Sequence, residues 1–196
     1  MNGSWVRRLF DQPPAGYLPG VLLSRALKEL RGLAEVEAET PGAVSLTLRG
    51  GLHCEVRERV ERHFLMHIVA LEFTVRVPAS AVPGATVEVR HTGAFKRTGF
   101  ACAVSARHRT ALGSLQGLIG ADRDLAAALL GLDFRRCRLR TGADGWEVLV
   151  EPFGASEVVN RMPAFRRYLR LGNDHAEALV RTLEGFFRVL SPGVAV

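Results

Sequence analysis

The sequence is poor in cysteine. Cys54, Cys102 and Cys137 are the only three, and no two of them have C-x-x-C spacing. Three cysteines cannot all pair within one chain, and each lies in a strand-like stretch, so we expect buried free thiols in a reducing, cytoplasmic compartment. A nucleophilic Cys102 assisted by His108 or His91 would need those side chains to meet in space, and no local signature supports it. We therefore favour a chain that is not an enzyme.

Long apolar runs are also missing. The longest, at 64–71, has the length of a buried element and carries a histidine, whereas a bilayer-spanning helix needs ~20 residues. The first residues lack the apolar centre of a signal peptide, so we expect no export and no transmembrane segment. With 47% apolar residues, the chain can bury a full core without disulfides or metal.

Lysine is nearly absent: two of the 26 basic residues are lysines, and the net charge is +6. Acidic residues are missing from two stretches, 89–121 and 158–173. The first contains Arg90, Lys96, Arg97, Arg107 and Arg109, and the second contains Arg161, Arg166, Arg167 and Arg170. These stretches carry nine positive charges, so the rest of the chain has a net charge of −3. The positive charge is therefore localised.

Hydrophobic periodicity predicts the fold class. Prolines and glycines make residues 1–20 an irregular arm, and we expect 21–191 to form a single α+β domain. Apolar residues recur at helical spacing in 22–33 and 174–190, and they alternate on both sides of turns near 40–42 and 143–145. This pattern predicts an antiparallel sheet built from hairpins, with helices on one face. A helix followed by a hairpin occurs in both halves, which suggests a weak pseudo-repeat.

Several polar residues have a structural interpretation. Asp122 is predicted to cap one helix and Asp174 with Glu177 to form a capping box on the last, while Ser156 is predicted to cap a short turn. Glu147 and Glu151 share one face of a predicted hairpin, where we expect exposed carboxylates. None of these residues matches a catalytic motif.

Two segments fit either a helix or a strand. Residues 55–68 have apolar positions at both spacings, and no glycine, proline, asparagine or aspartate interrupts them to make a tight turn. As a helix, this segment would place His63 and His67 on one face at a spacing that zinc accepts, but no third ligand is fixed nearby, so no metal is predicted. The glycines at 113–120 do not match a dinucleotide loop, and we predict no cofactor.

The second ambiguous segment, 163–171, carries the best functional signal. As a strand it places Arg166, Tyr168 and Arg170 on one face, where guanidinium groups could bind phosphates or carboxylates and the tyrosine could stack or pack. As a helix it would instead present a solvated basic face, and in either form the arginines could pair with acids elsewhere in the chain. The candidate anion-binding residues are Arg161, Arg166, Arg167, Tyr168 and Arg170.

The segment Glu151–Leu171, following the strand that begins at 132–134, resembles the C-terminal part of an uncharacterised proteobacterial family with a domain of unknown function. The resemblance covers about 50–190 and is centred on 132–171. It implies a bacterial, cytoplasmic protein and transfers no activity and no site residues.

The leading hypothesis is a non-enzymatic protein that binds an anionic small molecule or an acidic protein surface. No helix-turn-helix, RNA-binding sheet motif or zinc-finger spacing is present, which disfavours nucleic acid without excluding it. One alternative is an enzyme, which predicts a deep polar pocket with converging titratable groups. The other is an oligomeric subunit, which predicts an extended apolar surface patch. The sequence leaves the oligomeric state open.

Overall fold

The computed structural model describes residue 14 and residues 16–93 and 97–191. Within this part of the chain, ten strands and five α-helices form an α+β fold, as predicted. Most of the arm predicted for residues 1–20, and Lys96 in the first acid-free stretch, lie outside the described residues.

The helices are α1 (Val21–Glu29), α2 (Arg109–Leu112), α3 (Leu115–Ala121), α4 (Arg123–Gly131) and α5 (Asn173–Leu190). The first five strands are β1 (Ala34–Thr40), β2 (Ala43–Leu48), β3 (His53–Arg62), β4 (Met66–Pro78) and β5 (Thr86–Thr92). The others are β6 (Gly99–Val104), β7 (Phe134–Gly142), β8 (Gly145–Pro152), β9 (Ser156–Arg161) and β10 (Ala164–Leu169).

All ten strands form one antiparallel sheet in the order β1-β2-β3-β4-β8-β7-β5-β6, and β9 and β10 extend it beside β4. Strand β4 organises the sheet because it is long enough for two partners along one edge. Its residues 66–70 pair with β9, and its residues 73–78 pair with β8. The predicted hairpins β1–β2 and β7–β8 are both confirmed.

The hydrophobic core lies on one face of the sheet. Alternate strand residues such as Leu71, Phe73 and Val148 point to this face, where they pack with Leu183 and Phe186 of α5. The alternation follows from the two-residue period of a strand, and the apolar stripe of α5 from the 3.6-residue period of a helix. The prediction of helices on one face is confirmed, and no helix of the described residues covers the opposite face, which we call the outer face.

Two helices begin at carboxylates contributed from elsewhere in the fold. Glu58 of β3 accepts hydrogen bonds from the backbone amides of Gly20 (2.9 Å) and Leu23 (3.0 Å) at the start of α1. Glu29 at the end of α1 accepts hydrogen bonds from the amides of Leu171 (2.7 Å) and Gly172 (3.1 Å) ahead of α5. Glu58 satisfies amides that α1 leaves unpaired at its start, and Glu29 satisfies the amides of the two residues that precede α5.

Of the predicted caps, only one is confirmed. Asp122 accepts a 2.9 Å hydrogen bond from the amide of Leu125, as expected for the cap of α4. The capping box of α5 is wrong: Gly172 occupies the cap position without a side-chain bond, and Glu177 pairs with Arg49 and Arg181. At the start of α5, the Glu29 carboxylate binds the amide of the cap residue Gly172, where the prediction had a side chain of the helix itself.

Both ambiguous segments are strands. Residues 53–62 and 66–78 form a hairpin, and Phe64 in its turn is 92% exposed, so the expectation that the 64–71 run is buried is wrong at its first residues. The cap predicted for Ser156 is also wrong, since this residue opens β9 and its hydroxyl donates to the carbonyl of Phe153 (2.9 Å).

Between β8 and β9 the chain bends so that both strands can pair with β4. Gly154 in this bend passes so close to the segment after β10 that a Cβ atom would lie 2.5 Å from the carbonyl oxygen of Arg170. Only glycine fits this approach without moving backbone. The bend therefore fixes the β9–β10 hairpin, which carries the predicted site, against the end of β4.

Candidate functional site

The predicted anion-binding residues lie on and beside the β9–β10 hairpin. Arg161 ends β9, and Arg166, Arg167 and Tyr168 belong to β10. In the β10 register, Arg166 lies opposite Val159 and Tyr168 opposite Glu157, so these two side chains share the helix-covered face. Arg167 lies opposite Val158 and shares the outer face. The strand therefore divides the predicted set between two faces.

Three of these residues bind carboxylates of the same chain. Tyr168 donates its hydroxyl to Glu29 (3.3 Å), and Arg170 donates Nε to the same carboxylate (3.2 Å). Arg166 lies 3.6 Å from Glu157 and also donates to the carbonyl of Gly16. The interpretation that the arginines pair with acids elsewhere in the chain thus describes Arg166 and Arg170.

The side chains of Arg161 and Arg167 differ from these three. Both are exposed, and neither forms an ion pair with a carboxylate among residues 16–93 and 97–191. They lie on the two faces of one hairpin: Arg161 adjoins the turn at Met162 and Pro163, and Arg167 lies within β10, opposite Val158. Their charges remain available to a ligand outside the protein.

A second turn lies beside this one. The amide of Arg161 donates a 2.8 Å hydrogen bond to the carbonyl of Leu65, in the β3–β4 turn, and Met66 pairs with Asn160. The two turns form one end of the sheet, which we call the basic tip: residues 62–66 and 161–167. Its exposed apolar side chains are Phe64, Leu65, Met162 and Phe165.

A buried histidine lies beside the basic tip, and the arginine charges of the tip act on it. His67, opposite Arg62 in the register, is 2% exposed, and neither of its ring nitrogens has a hydrogen-bond partner. Burial lowers the pKa of His67, and the charges of Arg161, Arg166 and Arg62 lower it further, against an opposing effect of Glu157. A neutral imidazole is therefore the form that the fold accommodates.

This depressed pKa makes stability depend on pH. The unfolded chain takes up a proton on His67 near pH 6.5, but the folded chain does so only at lower pH, so stability falls as the pH drops below about 6.5. Replacing His67 with leucine should reduce the slope of unfolding free energy against pH by up to about 1.4 kcal/mol per pH unit in that range. Urea unfolding of wild type and variant at a series of pH values measures this slope. Equal slopes would contradict the assignment.

The outer face holds a charged cluster that the sequence did not indicate. Glu151 of β8 is only 1% exposed, so the expectation of an exposed carboxylate is wrong. Arg59 contacts it at 3.0 Å, Arg135 at 3.2 Å and Arg136 at 3.8 Å. The outer-face cluster consists of Arg59, Arg135, Arg136, Glu61, Glu72 and Glu151.

Charges in this cluster balance. Glu72 lies 2.9 Å from Arg59 and 3.2 Å from Arg136, while Glu61 contacts Arg59 and lies 2.8 Å from Arg135. Burial acts to raise the pKa of Glu61, but hydrogen bonds from Arg135 and Arg59 outweigh it and lower the pKa to about 2. The alternation of Glu55, Arg57, Arg59 and Glu61 was the available signal, but it also fitted helical ion pairs. Glu151 Oε1 is buried without a hydrogen-bond donor, but each charge of the cluster lies within ion-pair distance of an opposite charge, so the cluster offers no unpaired charge to a ligand.

The candidate nucleophile has no assistance. Burial raises the pKa of the Cys102 thiol to about 11, which keeps it protonated. Its proposed partners bond elsewhere: His91 Nε2 lies 2.8 Å from the carbonyl of Leu129, and His108 Nδ1 lies 3.0 Å from the Ser105 hydroxyl. Within the described residues all three cysteines are free thiols, and Cys54 and Cys137 are buried, as expected.

The other candidate sites offer no more support for catalysis or ligand binding within the described residues. In the described ranges, no group of three or more histidine, cysteine, aspartate or glutamate side chains could hold a metal ion, and no helix is long and apolar enough to cross a bilayer. A groove of about 610 Å³ beside α5 is lined by charged residues, but Arg181 pairs there with Glu177 and Arg188 with Asp122.

Fold and site together define an α+β protein with a ten-stranded antiparallel sheet, one helix-covered face and a basic tip. The sequence profile of a family described as "Protein of unknown function (DUF3156)" matches residues 27–190, and the chain belongs to this family. The predicted resemblance to a domain of unknown function is thereby confirmed, while its proteobacterial origin stays a prediction. No curated protein and no solved structure matches the chain.

Proposed function

We propose that this protein is a non-enzymatic binding protein that takes an anionic ligand or acidic partner at the basic tip. The observation that supports the proposal is the contrast within the predicted arginine set. Arg166 and Arg170 are occupied by Glu157 and Glu29, whereas Arg161 and Arg167 are exposed and face no carboxylate in the described chain. Guanidinium groups bind phosphate and carboxylate through paired hydrogen bonds, so each of these two arginines can bind an anionic group on its own face of the hairpin.

The surroundings of the tip support the same proposal. The nearest acids in sequence are engaged: Glu157 pairs with Arg25 at 3.3 Å, and Glu61 pairs with Arg135. No acidic residue occurs between 158 and 173. An anion that approaches the tip therefore meets the uncompensated positive charges of Arg161 and Arg167, which also speed its association.

Charge reversal tests the proposal. Polyphosphate serves as a soluble anionic probe, and isothermal titration calorimetry at low salt measures its affinity. The double variant Arg161→Glu, Arg167→Glu should bind polyphosphate at least about tenfold more weakly than wild type, since each reversal replaces an attraction with a repulsion. Raising the salt concentration should weaken wild-type binding and narrow the difference in affinity between wild type and the double variant.

A matched control changes the same net charge elsewhere. Arg90 and Arg123 are exposed and form no ion pair within the described residues, and they lie toward the β5–β6 side of the sheet. The variant Arg90→Glu, Arg123→Glu should retain most of the wild-type affinity. Equal losses in the two double variants would mean that only net charge matters, and the basic tip would not be the site.

A further inference from the structure

The basic tip combines charge with exposed apolar side chains. Phe64 is 92% exposed and Met162 is 73% exposed, while Leu65 and Phe165 are each about half exposed. Phe64 and Leu65 occupy the β3–β4 turn and Met162 the neighbouring β9–β10 turn, so the apolar groups stand at the extreme end of the sheet. Single exposed apolar side chains are ordinary on protein surfaces, but several large ones grouped at one place are typical of an interaction surface.

The sequence of the β3–β4 turn also indicates a role outside the core. The β3–β4 turn contains His63, Phe64 and Leu65, without the glycine, proline, asparagine or aspartate that tight turns favour. The amide of His63 still donates a 2.8 Å hydrogen bond to the carbonyl of Met66, which closes the turn. Departures from turn chemistry of this kind are expected where a residue serves function at the expense of local preference.

Arginines surround the apolar groups. Arg161 precedes Met162, Arg167 follows Phe165 by two positions on the same strand face, and Arg62 lies directly before the β3–β4 turn. Aromatic and long apolar side chains flanked by arginines are the composition that settles at the boundary between lipid headgroups and acyl chains. The arginine heads stay at the headgroups while the apolar groups enter the boundary.

We propose that the basic tip docks on an anionic lipid bilayer, with Phe64 and Met162 inserted at the headgroup boundary and Arg161 and Arg167 bound to lipid phosphates. This inference rests on the proposed function, since it names the anionic partner of the same arginines. It needs no membrane-spanning helix, because binding comes from a small apolar area together with charge.

The shape and the charge of the basic tip favour a bilayer over a protein partner or a second copy of this chain. The exposed side chains stand on two turns and not in a groove; a bilayer receives such projections without a preformed pocket, whereas a protein partner would need matching cavities. A second copy of this chain would place the same arginines against each other in a symmetric contact, and like charges would repel. The bilayer is the partner that complements both features.

Vesicle co-sedimentation tests the proposal. One set of vesicles contains only phosphatidylcholine, and the other contains phosphatidylcholine with an equal amount of phosphatidylglycerol. We expect wild-type protein to bind the anionic vesicles and not the neutral ones. The variant Phe64→Ser, Met162→Ser should partition onto anionic vesicles about tenfold less, because the lost apolar contacts no longer offset desolvation. Its affinity for polyphosphate should stay at the wild-type value.

Two controls make the outcome specific. Phe153 and Val82 are also about half exposed or more but lie away from the tip, and the variant Phe153→Ser, Val82→Ser should bind anionic vesicles like wild type. The probe variant Phe64→Trp should show a blue shift of its added fluorescence with anionic vesicles only. Circular dichroism should confirm that each variant is folded, which the exposure of the replaced side chains favours.

The outcomes separate the two proposals. Binding of polyphosphate without binding of anionic vesicles would overturn the bilayer and leave the anion site in place. Vesicle binding that survives Phe64→Ser, Met162→Ser at full strength would overturn insertion. If neither polyphosphate nor vesicles bind, the proposed function itself is wrong, together with the inference that rests on it.

Discussion

Replacing Glu151 with glutamine is expected to destabilise the protein by about 3 kcal/mol, because it removes the charge of a buried carboxylate that three partly exposed arginines share. Glu151 is 1% exposed and contacts Arg59, Arg135 and Arg136. The substitution keeps the size of the side chain but leaves three guanidinium groups facing only Glu61 and Glu72. The new amide nitrogen also brings donors where the neighbours are donors already. Urea unfolding is the appropriate measurement, since guanidinium salt would screen the interaction.

Strand β8 offers a matched control. Glu147 lies on the same strand and the same face, four positions before Glu151, and has no ion pair within the described residues. We expect Glu147→Gln to change stability by no more than about 0.5 kcal/mol. The combination of Glu151→Gln with Arg135→Gln should cost less than the sum of the single changes, because the second removes part of the charge that the first leaves unpaired. Equal effects of Glu147→Gln and Glu151→Gln would show that the cluster is not energetically important.

Local patterns predicted the parts of the fold that depend on local chemistry. Along most of the hairpins β1–β2 and β7–β8, apolar and polar residues alternate on both sides of a turn with glycine, so their strands follow from short segments, although each register shifts at one irregularity. The hairpin β3–β4 could not be predicted, because Val56, Val60, Phe64 and Ile68 fit a helical period as well as a strand. Pairing of β3 with β2 and of β4 with β8 and β9 decides in favour of strands, and β8 and β9 come from a distant part of the chain.

The candidate site, too, could be predicted only in part from the sequence. The sequence identified a stretch rich in arginine and free of acids, but it could not show which arginines the fold would neutralise. Glu29 is 141 residues from Arg170, and Glu151 is 92 residues from Arg59. Contacts at such separations are set by sheet order and by helix packing and leave no periodic trace in the sequence. Exposure of Phe64 was equally hidden, because an apolar run predicts burial until a turn interrupts it.

Glu29 resembles the proposed ligand, because it is an anion that Tyr168 and Arg170 of the predicted site already bind. Its carboxylate is 8% exposed and accepts hydrogen bonds from Tyr168, Arg170 and the amides of Leu171 and Gly172. The prediction that arginine and tyrosine on this segment bind a carboxylate therefore describes an internal contact. Through it, the end of α1 holds the segment that leads from β10 into α5.

Replacing Glu29 with alanine should cost about 2–4 kcal/mol, because it leaves the amides of Leu171 and Gly172 and the partly buried Tyr168 hydroxyl without their acceptor. Glu29→Gln, which keeps an acceptor but removes the charge, should cost about half as much. The exposed Glu35, which has no ion pair within the described residues, supplies the control Glu35→Ala, expected to change stability by no more than about 0.5 kcal/mol. Thermal unfolding, monitored by circular dichroism, measures the Tm of each variant and ranks the variants by stability.

A small carboxylate should rescue this variant. Formate fits the space that the Glu29 side chain vacates, and it can accept the same hydrogen bonds from Arg170 and the amides of Leu171 and Gly172. A ligand that binds only the folded state raises its stability, so formate should raise the Tm of Glu29→Ala more than that of wild type or of Glu35→Ala. Chloride at equal ionic strength separates binding from general screening. If formate and chloride act alike on Glu29→Ala, the segment is held by packing and not by its bound carboxylate, and the destabilisation would have to come from the lost side-chain contacts alone.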